Sequence, residues 1–545
     1  MAGVALALPG AAFAAAPSAE AARTYVQARA ASMAGDSANA ARLLGALADS
    51  NTGDTTIARR ALGEAIGAGD MPLAVRLARR IPHAKLAVEG RLLLAADEIR
   101  SGRSERAALF LAGGTAEEAN LQFVEPVLQA WTTAEKGDLP GALAIIDRIP
   151  ANSVLAPYRD ENRAFLLLKF GTAEDAEPYA RRAIGRGGGR ETRIRLALAD
   201  GFLAAGDRDR ALVMIAGMGT ETGAARQRIA GGRPSGLAVD SSGSAFAELL
   251  LALAVDLNRL SNKALPIAMI QIARYADPNN SAAAVLLALL LDGRGRTDEA
   301  LRVLTTVPAG DPLAVQARDT AARLLGQAKR HDEALALAQA AASGANAGVG
   351  DLSRLGDVLA DMKRFDQSAD AYARAIALAG SQGLTTELWT LHLLRATALE
   401  GGERWPEART ALEAALALSP EQPLVLNYLG YGKLERGEDL DLAEAMIRKA
   451  SALAPDDASI TDSLGWALYK RGRLKDAIET LTRAATSDPQ QAEIHEHLGD
   501  ALYKAGRRYE ARFAWNAALI TAEDEIAQRV RAKIETGLSP ATAAP

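Results

Sequence analysis

Small and apolar residues recur along the chain at one spacing, and that spacing predicts a succession of paired helices. In the last third, Leu429-Gly430, Leu464-Gly465 and Leu498-Gly499 are separated by 35 and then 34 residues, and Pro420, Pro455 and Pro489 by the same steps. Twelve residues after Gly465 stands Ala477, and seven further on Ala484; the same counts from Gly499 reach Ala511 and Ala518. The Gly430 unit reaches Ala443 and Ala450 with one residue inserted. Gly and Ala fit where the two helices of a unit approach too closely for a larger side chain. Proline closes the second helix, because the residue before it is pushed out of the α region. Each unit leaves an apolar face that only its neighbour covers, so such units are stable only as an array.

The phase can be followed backwards. Ala396, Ala408 and Ala415 form one unit, Gly356, Ser368 and Ala375 another, then Ala322, Ala334 and Ala341, and Ala288 and Ala300. A weaker unit spans Phe246 to Pro278, and second-helix alanines continue at Ala211, Ala176, Ala142, Ala107, Ala74 and Ala40. The pattern resembles the tetratricopeptide repeat (TPR) and implies an all-α superhelical solenoid of about 14 helix-turn-helix units. Residues 217–243, rich in Gly, Ser, Thr and Arg, lack a helical period and read as a loop. They divide the array into blocks over 22–216 and 244–519. Over 520–545, Ile526, Val530 and Ile534 predict one amphipathic capping helix, followed by a disordered tail from Ser539.

Composition supports a helical chain: hydrophobic residues make up 49% and aromatics only 4%. The remaining apolar residues are mainly the strong helix formers Ala and Leu. A net charge of −5 argues against nucleic acid as a partner. The absence of cysteine excludes disulfides, thiolate metal sites and a thiol nucleophile, and leaves no lipobox residue for acylation. No apolar run is long enough for a transmembrane span. Residues 1–14 read as a signal peptide without a basic start. Ala2 to Leu8 is its apolar run, and Ala12-Phe13-Ala14 its cleavage pattern.

Candidate chemistry is sparse. His495 and His497 flank Glu496, but residues two apart do not share a helix face, so the pair cannot chelate a metal. His495 falls on the position that a large packing side chain fills in this repeat. Gly187-Gly188-Gly189 follows no strand, so it is a turn rather than a phosphate cradle. No catalytic residues, cofactor or metal are expected. A binding role fits better. In a TPR array, first-helix residues three before and one, four and five after the Gly position point into the concave surface. Those offsets select Asn427, Tyr431, Leu434 and Glu435; Asp462, Trp466, Tyr469 and Lys470; and Glu496, Asp500, Tyr503 and Lys504. Aromatic anchors beside hydrogen-bonding groups suit a protein or peptide partner. A competing reading packs Trp466 and the tyrosines between neighbouring units.

Several strings are more specific than the generic repeat: Asn427 to Tyr431, Asp462 to Tyr469, Glu496 to Asp500 and Arg507 to Trp515. Together with Gln129-Ala130-Trp131 and Arg274 to Pro278, they resemble a family of long, exported proteobacterial TPR proteins. Its best-understood members are outer-membrane lipoprotein adaptors that dock a carboxyl-terminal processing protease. The resemblance implies a non-catalytic periplasmic scaffold, outer-membrane associated in the adaptor type, whose partner is that protease or another cell-envelope enzyme. The chain departs from the acylated members in having no cysteine. The alternatives are a TPR component of polysaccharide export or outer-membrane assembly, and a cytosolic co-chaperone.

Overall fold

The computed structural model describes residues 19–51, 54–111, 124–218, 223–258, 264–311, 313–344, 347–384 and 388–544. The leader expected over residues 1–14 lies outside them. Among the described residues the regular elements are thirty α-helices and short 3-10 turns, arranged as consecutive antiparallel pairs. None of these helices is long and apolar enough to cross a membrane.

The small residues are where the pairs close. Ala40, Ala74, Ala107, Ala142, Ala176 and Ala211 have no exposed surface, nor do Ala300, Ala334, Ala375, Ala408, Ala443, Ala477 and Ala511. A β-carbon on Gly465 would lie 2.5 Å from Leu481 Cγ, and one on Gly499 would lie 2.3 Å from Trp515 Cδ1. Helices Trp405–Leu418, Leu440–Leu453 and Leu474–Ser487 stop just before Pro420, Pro455 and Pro489. The turn within a pair needs one left-handed residue. Gly69, Gly206, Gly472 and Gly506 supply it with φ of 78°, 82°, 77° and 84°, while Lys329, Lys363 and Glu403 occupy it in the middle of the chain at 58°, 56° and 60°. Replacing Ala477 by Leu should overpack the Ala458–Lys470 and Leu474–Ser487 pair and lower stability by roughly 1–3 kcal/mol. A denaturation curve coincident with that of the unsubstituted protein would contradict the register.

The chain forms two compact units, Met1–Arg330 and His331–Pro545. Within the first unit, helices Ser242–Leu257 and Ala264–Ala276 turn back onto earlier helices. Tyr275 donates its hydroxyl to Asp97 Oδ1 at 2.7 Å, and Arg100 donates to the Tyr275 carbonyl at 2.7 Å. Ser242 N–H donates to Glu135 Oε1 at 2.7 Å, and Arg193 Nε to Glu248 Oε2 at 3.1 Å. The expected loop is itself anchored. It contains a helix, Gly223–Ala230, and buried Asp200 accepts from Ser235 N–H, Ser235 Oγ and Leu237 N–H at 2.6, 2.8 and 2.7 Å.

Candidate functional site

The twelve residues selected by the concave offsets lie on three first helices, Pro423–Glu435, Ala458–Lys470 and Ala492–Lys504, with Leu434 buried and Glu435 partly covered. The structure separates them into a covered set and an open set. Asp462, Trp466, Tyr469, Glu496 and Asp500 are buried; Asn427, Tyr431 and Tyr503 are partly covered; Lys470 and Lys504 are exposed.

Trp466 is the centre of the covered set. Its ring stacks on Tyr469 at 4.5 Å and on His497 at 4.1 Å, with interplanar angles of 12° and 13°. His497 is held by the carboxylate of Asp462, whose oxygens lie 2.9 and 3.0 Å from Nδ1. Burial alone would lower the His497 pKa, but the Asp462 carboxylate outweighs it and holds the imidazole above its ordinary value. His495 sits beside the Pro489 carbonyl, 3.1 Å from Nε2. Burial, reinforced by Asp500, pushes the Tyr469 phenol up to about 12.

One turn further along the array, Glu496 and Asp500 are closed over by the capping helix Asp524–Thr536. Lys533 Nζ donates to Glu496 Oε1 at 2.6 Å and to Asp500 Oδ2 at 2.8 Å, and none of the three side chains is exposed. Arg529 adds two bonds to Glu496 at 3.1 and 2.9 Å, and Trp515 Nε1 donates to Asp500 Oδ1 at 2.9 Å. Burial raises the Glu496 pKa, but Arg529 and Lys533 outweigh it and hold the carboxyl below its ordinary value. For Asp500 burial prevails over Lys533, and its pKa stands above the usual range.

Ala544, in the tail expected to be disordered from Ser539, and Leu538 just before it lie against the same surface. Ala544 is buried in the cluster of Trp466, Tyr469 and Ala501, and its N–H donates to Asp500 Oδ2 at 3.1 Å. Leu538 packs with Trp515 and Val530. Neither Lys533 nor the tail was among the residues selected from the sequence. The only sequence signal for Lys533 was that it falls beside the apolar stripe of a capping helix.

The open set forms a band above this base. Lys470 Nζ lies 5.1 Å over the Trp466 ring and 3.9 Å from Glu435, and Lys504 Nζ lies 4.6 Å over the Tyr469 ring. Asn427 donates to Ser463 Oγ at 3.2 Å. Tyr431 packs under Leu434 and Leu464, and burial raises its phenol pKa. Tyr509, Phe513 and Ile520 were not selected either; they stand 84%, 77% and 82% exposed on helix Arg508–Thr521. Among the described residues no three His, Cys, Asp or Glu side chains are grouped to hold a metal.

Models of the tetratricopeptide repeat match residues 353–423 and 393–458, and a TPR repeat model matches 465–506. The concave-offset residues thus lie in, or directly beside, the matched repeats, which together span residues 353–506. No curated protein sequence matches the chain. Among solved structures, it is similar to a chain of the APC/C hetero-tetramer Cut9-Hcn1, with 15% identity over 96% of this chain and 97% of that one and a TM-score of 0.39. Yeast Tom70 is similar at 12% identity over 95% of each chain, with a TM-score of 0.32. YrrB, a TPR protein with an unusual peptide-binding site, is 17% identical over 36% of this chain and 97% of its own, with a TM-score of 0.27.

Proposed function

We propose that the chain is a non-catalytic scaffold of the periplasm, an adaptor that carries a protease or another cell-envelope enzyme on its concave surface. The observation that carries this reading is the pair of exposed ammonium groups, Lys470 and Lys504, above the stacked rings of Trp466 and Tyr469, with Tyr431 packed against the same cluster. The base is fixed by buried ion pairs, whereas the two ammonium groups above it remain exposed. Such a surface presents preorganised cation and aromatic contacts to a partner without ordering itself on binding. Support for the location is confined to the sequence: the apolar run and A-x-A pattern near the start, and the resemblance to exported TPR adaptors.

Crosslinking capture from envelope extracts tests the surface. Lys470→Glu combined with Lys504→Glu should reduce recovery of the partner about tenfold relative to the unsubstituted protein. The melting curve should move little, because both ammonium groups are exposed and their contacts lie at the surface. Equal recovery by the two proteins would remove this face from the function. Mass spectrometry of the native protein tests the location: a mature start at Ala15 supports export, and an intact Met1 in a cytoplasmic fraction overturns it.

A further inference from the structure

The Met1–Arg330 unit contains a cavity of about 1010 Å³. Its walls are helices Ala19–Met33, Thr55–Ala68 and the start of Val88–Arg100, with Leu265, Ile267 and the Arg294–Arg296 turn closing the far side. The volume stands at the upper end of the roughly 300–1,000 Å³ usual for small-molecule sites. Its charge is one-sided. Arg29, Arg59, Lys85 and Arg294 line it, and among the described residues none of them makes an ion pair. Arg60 lies 5.7 Å over the Tyr25 ring rather than on a carboxylate.

The other cations of the wall are engaged. Arg296 bonds Glu299 at 2.8 and 2.5 Å, and Arg91 donates to the Phe110 and Leu111 carbonyls at 2.9 and 3.0 Å. Among the described residues only Glu64 and Glu89 supply negative charge to the lining, and Glu64 already accepts from Ser32 Oγ at 2.5 Å. Partial burial first, and then neighbouring Arg296, lower the Arg294 pKa. Unpaired cations facing one cavity repel one another, and a matching anion relieves that repulsion.

We propose that this cavity is a binding site for an acidic peptide segment of a partner protein. The unpaired cations stand on four separate stretches of chain around the wall, so they match charges spread along a segment rather than a single phosphate. Apolar Met33, Val88 and Leu265 lie between them and suit side chains better than a phosphodiester backbone. The overall charge of −5 is the reverse of what a nucleic-acid binder carries. The inference rests on the scaffold reading but places its contact on a surface that reading does not use.

Titration of fluorescein-labelled decaglutamate with the full-length protein, followed by anisotropy, tests the site. Saturable one-to-one binding is expected, weakening as salt rises. Arg29→Glu with Arg294→Glu should weaken it at least about tenfold, and Arg59→Gln alone should weaken it less. Arg483→Glu with Arg512→Glu, both outside the cavity, should leave it unchanged. Circular dichroism confirms the fold of each variant, and Arg59→Gln serves if the double reversal unfolds. Undiminished affinity in the cavity variants would overturn the proposal. Equal weakening by the outside pair would do the same, as would tighter binding of an oligonucleotide bearing the same number of charges. The titration uses no native partner, so its outcome is independent of the envelope capture that tests the scaffold reading.

Discussion

Replacing Lys533 with Met should loosen the C-terminal end of the array by about 3–5 kcal/mol, the range for breaking a buried ion pair from one side. The ammonium is the shared partner of two carboxylates that have no exposed surface. Without it, Glu496 keeps Arg529, but among the described residues Asp500 keeps only the neutral donors Trp515 Nε1 and Ala544 N–H. In a repeat array the loss is local, because each unit contacts only its neighbours. Hydrogen exchange should therefore accelerate through helices Ala492–Lys504, Arg508–Thr521 and Asp524–Thr536 and hardly change before Gly465. Adding Asp500→Asn to Lys533→Met should recover part of the loss, since the uncompensated charge leaves with its partner. Unchanged exchange in the single variant would show that the ammonium does not hold the cap.

Trp466→Ala is the second large effect. A fully buried aromatic removed from a packed interior costs about 3–5 kcal/mol. Here the ring is sandwiched between Tyr469 and His497, so its removal also uncovers the His497–Asp462 pair. Chemical denaturation should show a clear loss, and partner capture should fall only in step with unfolding. A concave-face anchor would behave in the opposite way: stability and helical content would persist while affinity fell by about 2 kcal/mol or more. The burial of Trp466 favours the first outcome, and measuring both quantities on one variant separates them.

The two variants mark where the sequence was legible. The positions of Gly465, Gly499, Ala477 and Ala511 could be placed from spacing alone, because close helix packing admits few side chains and repeats the demand at a fixed period. The same register predicted which residues occupy the first-helix offsets. It did not show whether those offsets meet solvent. Asp500 and Lys504 are four residues apart on one helix, yet Asp500 is buried under Lys533 and Lys504 is exposed above the Tyr469 ring.

The helical class, the repeat phase and the capping helix followed from the sequence by itself, since all three are written in local periodicity and in small residues at contact points. Only the tertiary structure decided what depends on distant partners. Lys533 meets Glu496 across 37 residues, and Tyr275 meets Asp97 across 178. The first contact buries Glu496 and Asp500 among the residues of the expected binding face, and the second holds helices past residue 243 against the N-terminal ones. The tail illustrates the same limit. Its small, polar composition gives no local reason for order, yet one N–H donated to a buried carboxylate and one apolar contact beside Trp466 hold Ala544 in place.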